Sequence, residues 1–169
     1  MNIKTFTKVA MIAAVYTVIS LVLAPFSFGN IQVRIAEALT LLPLIYAPSI
    51  WGVTLGCFLT NLIGVLMGVN PTGVLDTVIG TSATLLAALC TYKLRDVKFR
   101  DIPVWSILMP VLFNMVFVGI ELGFILFPES IVTGSIICGL EVAAGELISV
   151  VIGWYIIKLL DRTGIFREE

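Results

Sequence analysis

Histidine is absent from this 169-residue sequence, and cysteine is scarce. The three cysteines, Cys57, Cys90 and Cys138, lie far apart in apolar segments and form no Cys-x-x-Cys pair. Zinc sites, haem attachment sites and cysteine–histidine catalytic pairs are built from these two residue types. We therefore expect no metal site, no cofactor and no catalytic residue of these kinds, and we interpret the cysteines as small core residues.

Charged residues are also few. They make up 12% of the chain, whereas 59% of the residues are hydrophobic and the mean hydropathy is +1.10. An average soluble domain is about 25% charged. A chain of this length forms one domain, residues 1–169, and cannot hide so much apolar surface in a single core. The composition predicts an all-α integral membrane protein that is not an enzyme and has no nucleic-acid partner.

A third absence concerns the supply of energy. The chain contains no Gly-x-x-x-x-Gly-Lys motif and not even a Gly-Lys dipeptide. Because this motif forms the phosphate-binding loop of many ATPases, we expect that the chain does not hydrolyse ATP itself. Uptake against a gradient would then depend on an ion gradient or on a partner protein.

Long apolar segments are what the sequence has in abundance. A helix needs about 20 apolar residues to cross the hydrocarbon region of a bilayer, and proline- and glycine-rich turns at 47–52 and 68–73 separate such segments. We interpret the first segment as an uncleaved span, because the sequence after it is equally apolar. The pattern predicts six transmembrane helices, at about 9–24, 35–46 and beyond, 52–68, 74–92, 102–127 and 131–160.

The basic residues predict the orientation of these spans. Six spans place both termini on one side, and nine of the ten lysines and arginines then fall on that side, with Arg34 alone on the other. Cytoplasmic loops carry an excess of such residues, so the sequence predicts an N-in, C-in topology. The nine residues are Lys4, Lys8, Lys93, Arg95, Lys98, Arg100, Lys158, Arg162 and Arg167.

Small residues recur at four-residue spacing in two of the predicted spans. Such ridges let helix backbones approach one another closely, and we expect them to pack within this chain. They comprise Gly52, Gly56, Thr60, Gly64 and Gly68 in the third span, and Gly145, Ser149 and Gly153 in the sixth.

A short set of polar residues lies inside the predicted spans. An ionisable group at membrane depth costs at least ~2.5 kcal/mol, so it faces the protein interior or water and is a functional candidate. All the charges fall in the predicted outer half, which suggests a pocket that opens to the exterior above an apolar floor. The candidates are Arg34, Glu37, Asp76, Glu121, Glu141 and Glu146, with Asn61, Asn70 and Asn114.

Five carboxylates against one guanidinium favour a ligand that is cationic or rich in N–H donors. A carboxylate can accept two parallel N–H bonds from an edge such as that of guanine. Structural alternatives remain: Arg34 and Glu37, three residues apart, can pair with each other, Asp76 can cap a helix, and Glu121 can lie at the interface. Glu141 and Glu146 are about 140° apart around a helix, so we expect only one of them to point into a central cavity.

Three stretches carry a resemblance to a known family. "AMIAA" at 10–14, "VRIAEALTLLP" at 33–43 and "GVLDTVIGTSATLLAALCTYKLR" at 73–95 resemble the QueT family, substrate-binding S components of energy-coupling factor (ECF) transporters. The resemblance covers the whole chain. It implies a plasma-membrane protein of S-component fold that works with a transmembrane coupling protein, the T component, and with two ATPase subunits.

The resemblance also implies a substrate and a partner surface. The substrate would be a 7-deazaguanine precursor of queuosine, such as preQ1 or queuine, and Ala10 and Ala14 would contact the coupling protein. From depth and chemistry alone, we assign Glu141 or Glu146 to the amino-pyrimidinone edge and Asp76 or Glu121 to the amine. Asn61 and Asn114 are further candidates for substrate contacts, and residues 25–33 are a candidate lid.

Other classes of function predict different behaviour. A self-sufficient secondary transporter of an organic cation would use a carboxylate to bind the coupling proton, and the chain alone would show pH-dependent transport. An intramembrane enzyme would require a nucleophile or a metal set besides its glutamates. A purely structural assembly protein would leave the acids of the outer half unexplained.

Overall fold

The computed structural model describes residues 2–27, 34–70 and 72–166, and this part of the chain is helical and contains no β-strand. The second predicted span is a 3-10 helix, called the 3-10 segment below. The elements are α1 (Ile3–Val22), α2 (Ala24–Ser27), the 3-10 segment (Ile35–Leu44), α3 (Ser49–Leu66), α4 (Val74–Lys93), α5 (Val104–Leu126) and α6 (Ile131–Thr163).

Within the described residues, five helices are long and apolar enough to cross a membrane: α1, α3, α4, α5 and α6. These correspond to five of the six predicted spans, and the protein is a multi-pass membrane protein. The 3-10 segment has 10 residues, which extend about 20 Å at 2.0 Å per residue. That is less than the hydrocarbon thickness of about 30 Å, so the count of six transmembrane helices stays a prediction.

Helices α1 and α3 pack closely and run parallel. A Cβ atom on Gly52 would lie 2.9 Å from Ile12 Cβ, and one on Gly56 would lie 2.7 Å from Tyr16 Cβ. Contact positions thus advance together along both helices, and only glycine leaves room for this approach. The predicted small-residue ridge is confirmed at these two positions as packing within the chain.

Because α1 and α3 are parallel, the chain between them must return along the bundle. The 3-10 segment makes this return. Arg34, before its first residue, pairs with Asp76 near the start of α4, while Tyr46, beyond its last residue, lies 5.5 Å from Lys8 Nζ of α1. The segment packs against α1, α3, α4, α5 and α6, so it occupies the centre of the bundle.

Helices α5 and α6 form the other close pair. They are antiparallel, since a Cβ on Gly119 would lie 2.6 Å from Gly139 Cα while Gly123 approaches Ser135. On the face of α6 that points into the bundle, a Cβ on Gly153 would lie 2.5 Å from the carbonyl oxygen of Ala38. This glycine therefore allows α6 to pack directly on the backbone of the 3-10 segment.

The described ends of the chain meet at one end of the bundle. Lys8 Nζ donates a hydrogen bond to the Ile165 carbonyl oxygen at 2.7 Å. Arg95 and Lys158 line a cavity at this end, called the basic end below. Arg34 and Asp76 lie at the opposite end. Lys8, Arg95 and Lys158 thus lie at the end opposite Arg34, as the sequence pattern predicts, and which end faces the cytoplasm stays a prediction.

Candidate functional site

Charged side chains cluster inside the bundle, where the 3-10 segment meets α4, α5 and α6. Of the eight predicted ligand-binding residues, seven are buried with 6% or less of their surface exposed. The members of this cluster come from five elements, namely the 3-10 segment with the residue before it, α3, α4, α5 and α6, so they lie far apart in the sequence. The buried seven are Arg34, Glu37, Asn61, Asp76, Asn114, Glu121 and Glu146.

Arg34 and Asp76 form the ion pair of the cluster. Arg34 Nη2 lies 2.7 Å from Asp76 Oδ2, which also accepts a hydrogen bond from Asn70 Nδ2 at 3.1 Å. Asn61 Nδ2 donates to the Asp76 carbonyl oxygen at 2.9 Å. The amide of Asn61 thereby ties α3 to the first turn of α4.

Two of the structural alternatives are contradicted here. Arg34 does not pair with Glu37. Its backbone, with φ −83° and ψ 79°, lies before the first residue of the 3-10 segment, and its side chain pairs with Asp76 of α4 instead. Asp76 is not a helix cap, because α4 begins at Val74 after Gly73. Its carboxylate instead forms the ion pair with the guanidinium of Arg34.

Glu37 is fully buried, and its two carboxylate oxygens differ. Oε1 accepts a hydrogen bond from Tyr16 Oη at 2.6 Å and another from Thr84 Oγ1 at 3.1 Å. Oε2 is buried and has no hydrogen-bond partner among the described residues. The chain thus holds one oxygen from two helices and leaves the other available.

Glu146 on α6 repeats this arrangement. Its Oε1 accepts a hydrogen bond from Asn114 Nδ2 of α5 at 2.9 Å. Within residues 2–27, 34–70 and 72–166, neither Glu146 Oε2 nor Asn114 Oδ1 has a partner, although both atoms are buried. Buried polar groups are normally hydrogen-bonded, so these acceptors indicate a ligand that brings donors.

The two glutamates of α6 have opposite surroundings. Glu146 is buried, whereas Glu141 is exposed on the outer face of α6. This confirms the expectation from helical phase that only one of them points inward. The structure does not bring Glu141 to the cluster, so we leave it out of the site. Glu121, at the far end of α5, is 3% exposed and lies in the interior rather than at the interface.

Sequence reasoning missed Tyr16 and Thr84, which contact Glu37 directly. Both are uncharged hydroxyl residues in largely apolar helices that contain several other hydroxyl residues, so no charge distinguishes them. Cys57 Sγ lies 3.3 Å from Thr84 Oγ1, which places a third uncharged residue at the cluster. Gly80 was also overlooked, although a Cβ on it would overlap Asp76 Oδ1.

The chemistry of the cluster favours a cation with several N–H donors. Four buried carboxyl groups accompany one guanidinium, and Glu37, Glu146 and Asn114 each offer an acceptor without a partner in the described structure. Hydrogen bonds between charged donors and carboxylates are the strong ones, and bidentate geometry adds specificity. In the described part of the chain, no group of three or more cysteine, aspartate and glutamate side chains is placed to hold a metal ion.

Ala10 and Ala14 lie outside this cluster, on the exposed face of α1. The buried face of the same helix carries Tyr16. The predicted partner surface and the cluster are therefore on opposite sides of one helix. Of the predicted lid at 25–33, residues 28–33 lie outside the described part of the structure.

Comparison with known proteins gives one match. A family model described as "QueT transporter" matches residues 6–162, nearly the whole chain. No curated protein and no solved structure matches it.

Proposed function

Because the chain belongs to the QueT transporter family, we propose that it is the S component of an ECF importer in the plasma membrane. Membership of this family supports a role in transport rather than catalysis. In our proposal, one transmembrane domain captures a 7-deazaguanine such as preQ1 or queuine, and partner subunits hydrolyse the ATP that drives uptake.

One observation carries the choice of ligand. Two buried glutamates, Glu37 and Glu146, each have one oxygen held by the chain and one without a partner in the described structure. A guanine-type edge presents two adjacent N–H donors, and the aminomethyl group of preQ1 adds a cation. Such a ligand would satisfy both the acceptors and the excess of negative charge.

We assign the ligand groups by the surroundings of each acid. Glu146 suits the amino-pyrimidinone edge, because its carboxylate lies beside the amide oxygen of Asn114, which has no partner among the described residues, and these two groups match several donors. Asp76 or Glu121 would receive the amine, and Glu37 is a further acceptor. Asn61 already donates to the Asp76 backbone, so we propose that it supports the site.

The proposed partners follow from what the chain lacks and from what it exposes. The sequence lacks the Gly-x-x-x-x-Gly-Lys phosphate-binding motif, so in our proposal the energy comes from partner subunits. Ala10 and Ala14 lie one turn apart on the exposed face of α1, and small residues at this spacing permit close contact between helices in a membrane. We propose this face as the contact for the T component, which joins the two ATPase subunits.

Thermal stabilisation of the purified protein tests substrate and site together. We expect preQ1 or queuine to raise the melting temperature, and adenine to leave it unchanged. Glu146→Gln should abolish the shift, whereas Glu141→Gln, a matched change on the exposed face of the same helix, should preserve it. Indifference to every deazapurine, or equal loss in the two variants, would contradict the proposal.

A secondary transporter remains the alternative, because Glu37 and Glu146 are buried carboxyl groups of the kind that bind coupling protons. Reconstitution into liposomes separates the two. Uptake by the chain alone, driven by a pH gradient, would favour the alternative. Uptake only with the coupling protein and ATPases, and only with ATP inside, is what we expect.

A further inference from the structure

Tyr16 connects α1 to the charged cluster. It is buried, with 2% of its surface exposed, and its Oη lies 2.6 Å from Glu37 Oε1. The neighbouring hydroxyl, that of Thr17, instead bonds to backbone oxygens of Ala13 and Gly56. Tyr16 thus brings a donor from a peripheral helix to a carboxylate at the centre of the bundle.

The hydrogen bonds of Glu37 fix the direction of its carboxylate. Tyr16 from α1 and Thr84 from α4 both donate to Oε1, so rotation of the carboxylate group would break two bonds. Oε2 has no such donor in the part of the chain that is described. The two hydroxyls therefore select which oxygen faces a ligand.

We propose that Tyr16 is a positioning residue of the binding site, and that the packing of α1 on α3 thereby sets the affinity for the ligand. The nature of the ligand rests on the function proposed above. Tyr16 itself need not touch the ligand, because it acts by holding Glu37.

The contact between α1 and α3 explains why helix packing matters for this hydroxyl. A Cβ on Gly56 would lie 2.7 Å from Tyr16 Cβ. Tyr16 can therefore approach α3 this closely only because residue 56 is a glycine. Two residues earlier, Ala14 is exposed, about 200° away around the helix. A partner that displaces α1 from outside would therefore move the Tyr16 hydroxyl relative to Glu37. By linkage, the ligand would change the affinity for that partner by the same factor.

Ligand binding by point variants gives the first test. Tyr16→Phe removes only the hydroxyl, and we expect the Kd for preQ1 to rise about tenfold to a hundredfold, as for loss of a hydrogen bond to a charged group. Tyr155→Phe, on the exposed face of α6, should leave the Kd unchanged. In a Glu37→Gln background, Tyr16→Phe should add little, because its effect passes through Glu37. An unchanged Kd for Tyr16→Phe, or full additivity with Glu37→Gln, would overturn the proposal.

A second test probes helix packing. Gly56→Ala should push α1 away beside Tyr16 and weaken preQ1 binding, and it should have little further effect in the Tyr16→Phe background. Additive losses would show that packing acts on the site by another route. If Gly56→Ala does not fold, the Tyr16→Phe measurement still decides the role of the hydroxyl.

A third test needs no ligand. Infrared difference spectra of the ligand-free protein, labelled at glutamate carboxyl carbons, should show a carboxyl band that shifts in Tyr16→Phe. The shift should disappear in the Glu37→Gln background. If wild-type protein binds no deazapurine, the proposed function fails. The spectrum would still test whether the Tyr16 hydroxyl holds the Glu37 carboxylate. An identical band in wild type and Tyr16→Phe would refute the positioning role.

Discussion

The two ends of the bundle differ in whether their charged side chains are buried or exposed. In the cluster, the side chains of Arg34 and Asp76 are 7% and 2% exposed and lie 2.7 Å apart. At the basic end, the side chains of Arg95 and Asp96 are 39% and 85% exposed and lie 3.5 Å apart. The same pair of residue types is thus buried at one end of the bundle and exposed at the other.

Burial changes what these charges contribute. An exposed pair is screened by water and contributes about 0–1 kcal/mol, and Arg95 also lies over the ring of Tyr92, 4.1 Å from its centroid. Such an arrangement suits the membrane surface, where basic and aromatic residues collect. Buried charges must be matched by partners, so the cluster is where a missing partner has a large effect and where we locate function.

The largest expected effect follows from removing Asp76. Asp76→Ala leaves the Arg34 guanidinium buried without its carboxylate, and we expect a loss of about 3–5 kcal/mol in the free energy of unfolding. Unfolding in detergent with a chemical denaturant measures it. Asp96→Ala is the matched change at the basic end, and similar losses in both variants would erase the proposed difference between the two ends.

Gly80→Ala should have an intermediate effect. A Cβ at this position would overlap Asp76 Oδ1 and lie 3.0 Å from Asn61 Nδ2, so the carboxylate must move away from Arg34. We expect destabilisation of about 1–3 kcal/mol, as for overpacking of a core, together with weaker preQ1 binding. Ser82→Ala, two residues along α4, is the control. A Gly80→Ala protein with wild-type stability and affinity would show that Asp76 does not need its present orientation.

Thr84→Val should weaken ligand binding with less effect on the fold. It removes the second, longer hydrogen bond to Glu37 Oε1, 3.1 Å against 2.6 Å for that of Tyr16. We expect a rise in the Kd for preQ1 of about three- to tenfold, corresponding to about 1 kcal/mol, measured by titration calorimetry. Thr91→Val, near the other end of α4, removes a bond to the Ser106 carbonyl and should leave the Kd unchanged. The reverse ranking would contradict the role given to Glu37.

The smallest effect belongs to the basic end. Arg95→Gln breaks an exposed pair, and we expect a change of about 0.5 kcal/mol or less in the free energy of unfolding. Added salt should diminish even this difference, because it screens exposed charges. Denaturant unfolding at low and high salt checks both statements. A loss as large as that for Asp76→Ala would mean that this surface also holds an essential buried interaction.

Much of this architecture was predictable from composition and spacing. Apolar runs and turn residues gave five long helices near their observed positions, and the cost of buried charge identified Glu37, Asp76 and Glu146 as interior residues. The 3-10 conformation was not predictable, because a largely apolar segment of ten residues does not distinguish 100° from 120° per residue. The pairing of Arg34 with Asp76, 42 positions apart, depends on tertiary geometry that local spacing does not encode. Tyr16 and Thr84 escaped notice for a related reason, since an uncharged hydroxyl is common in apolar helices.

The geometry of the 3-10 segment has a mechanical consequence. Its 10 residues extend about 20 Å, whereas the same residues in an α-helix would extend about 15 Å. Conversion from one form to the other would draw its ends together by about 5 Å and rotate each residue by about 20° relative to the previous one. Arg34 anchors one end to α4, and Tyr46 adjoins Lys8 at the other. The segment is therefore anchored at both ends inside the bundle, and a change in its length would act on α4 and α1 at once.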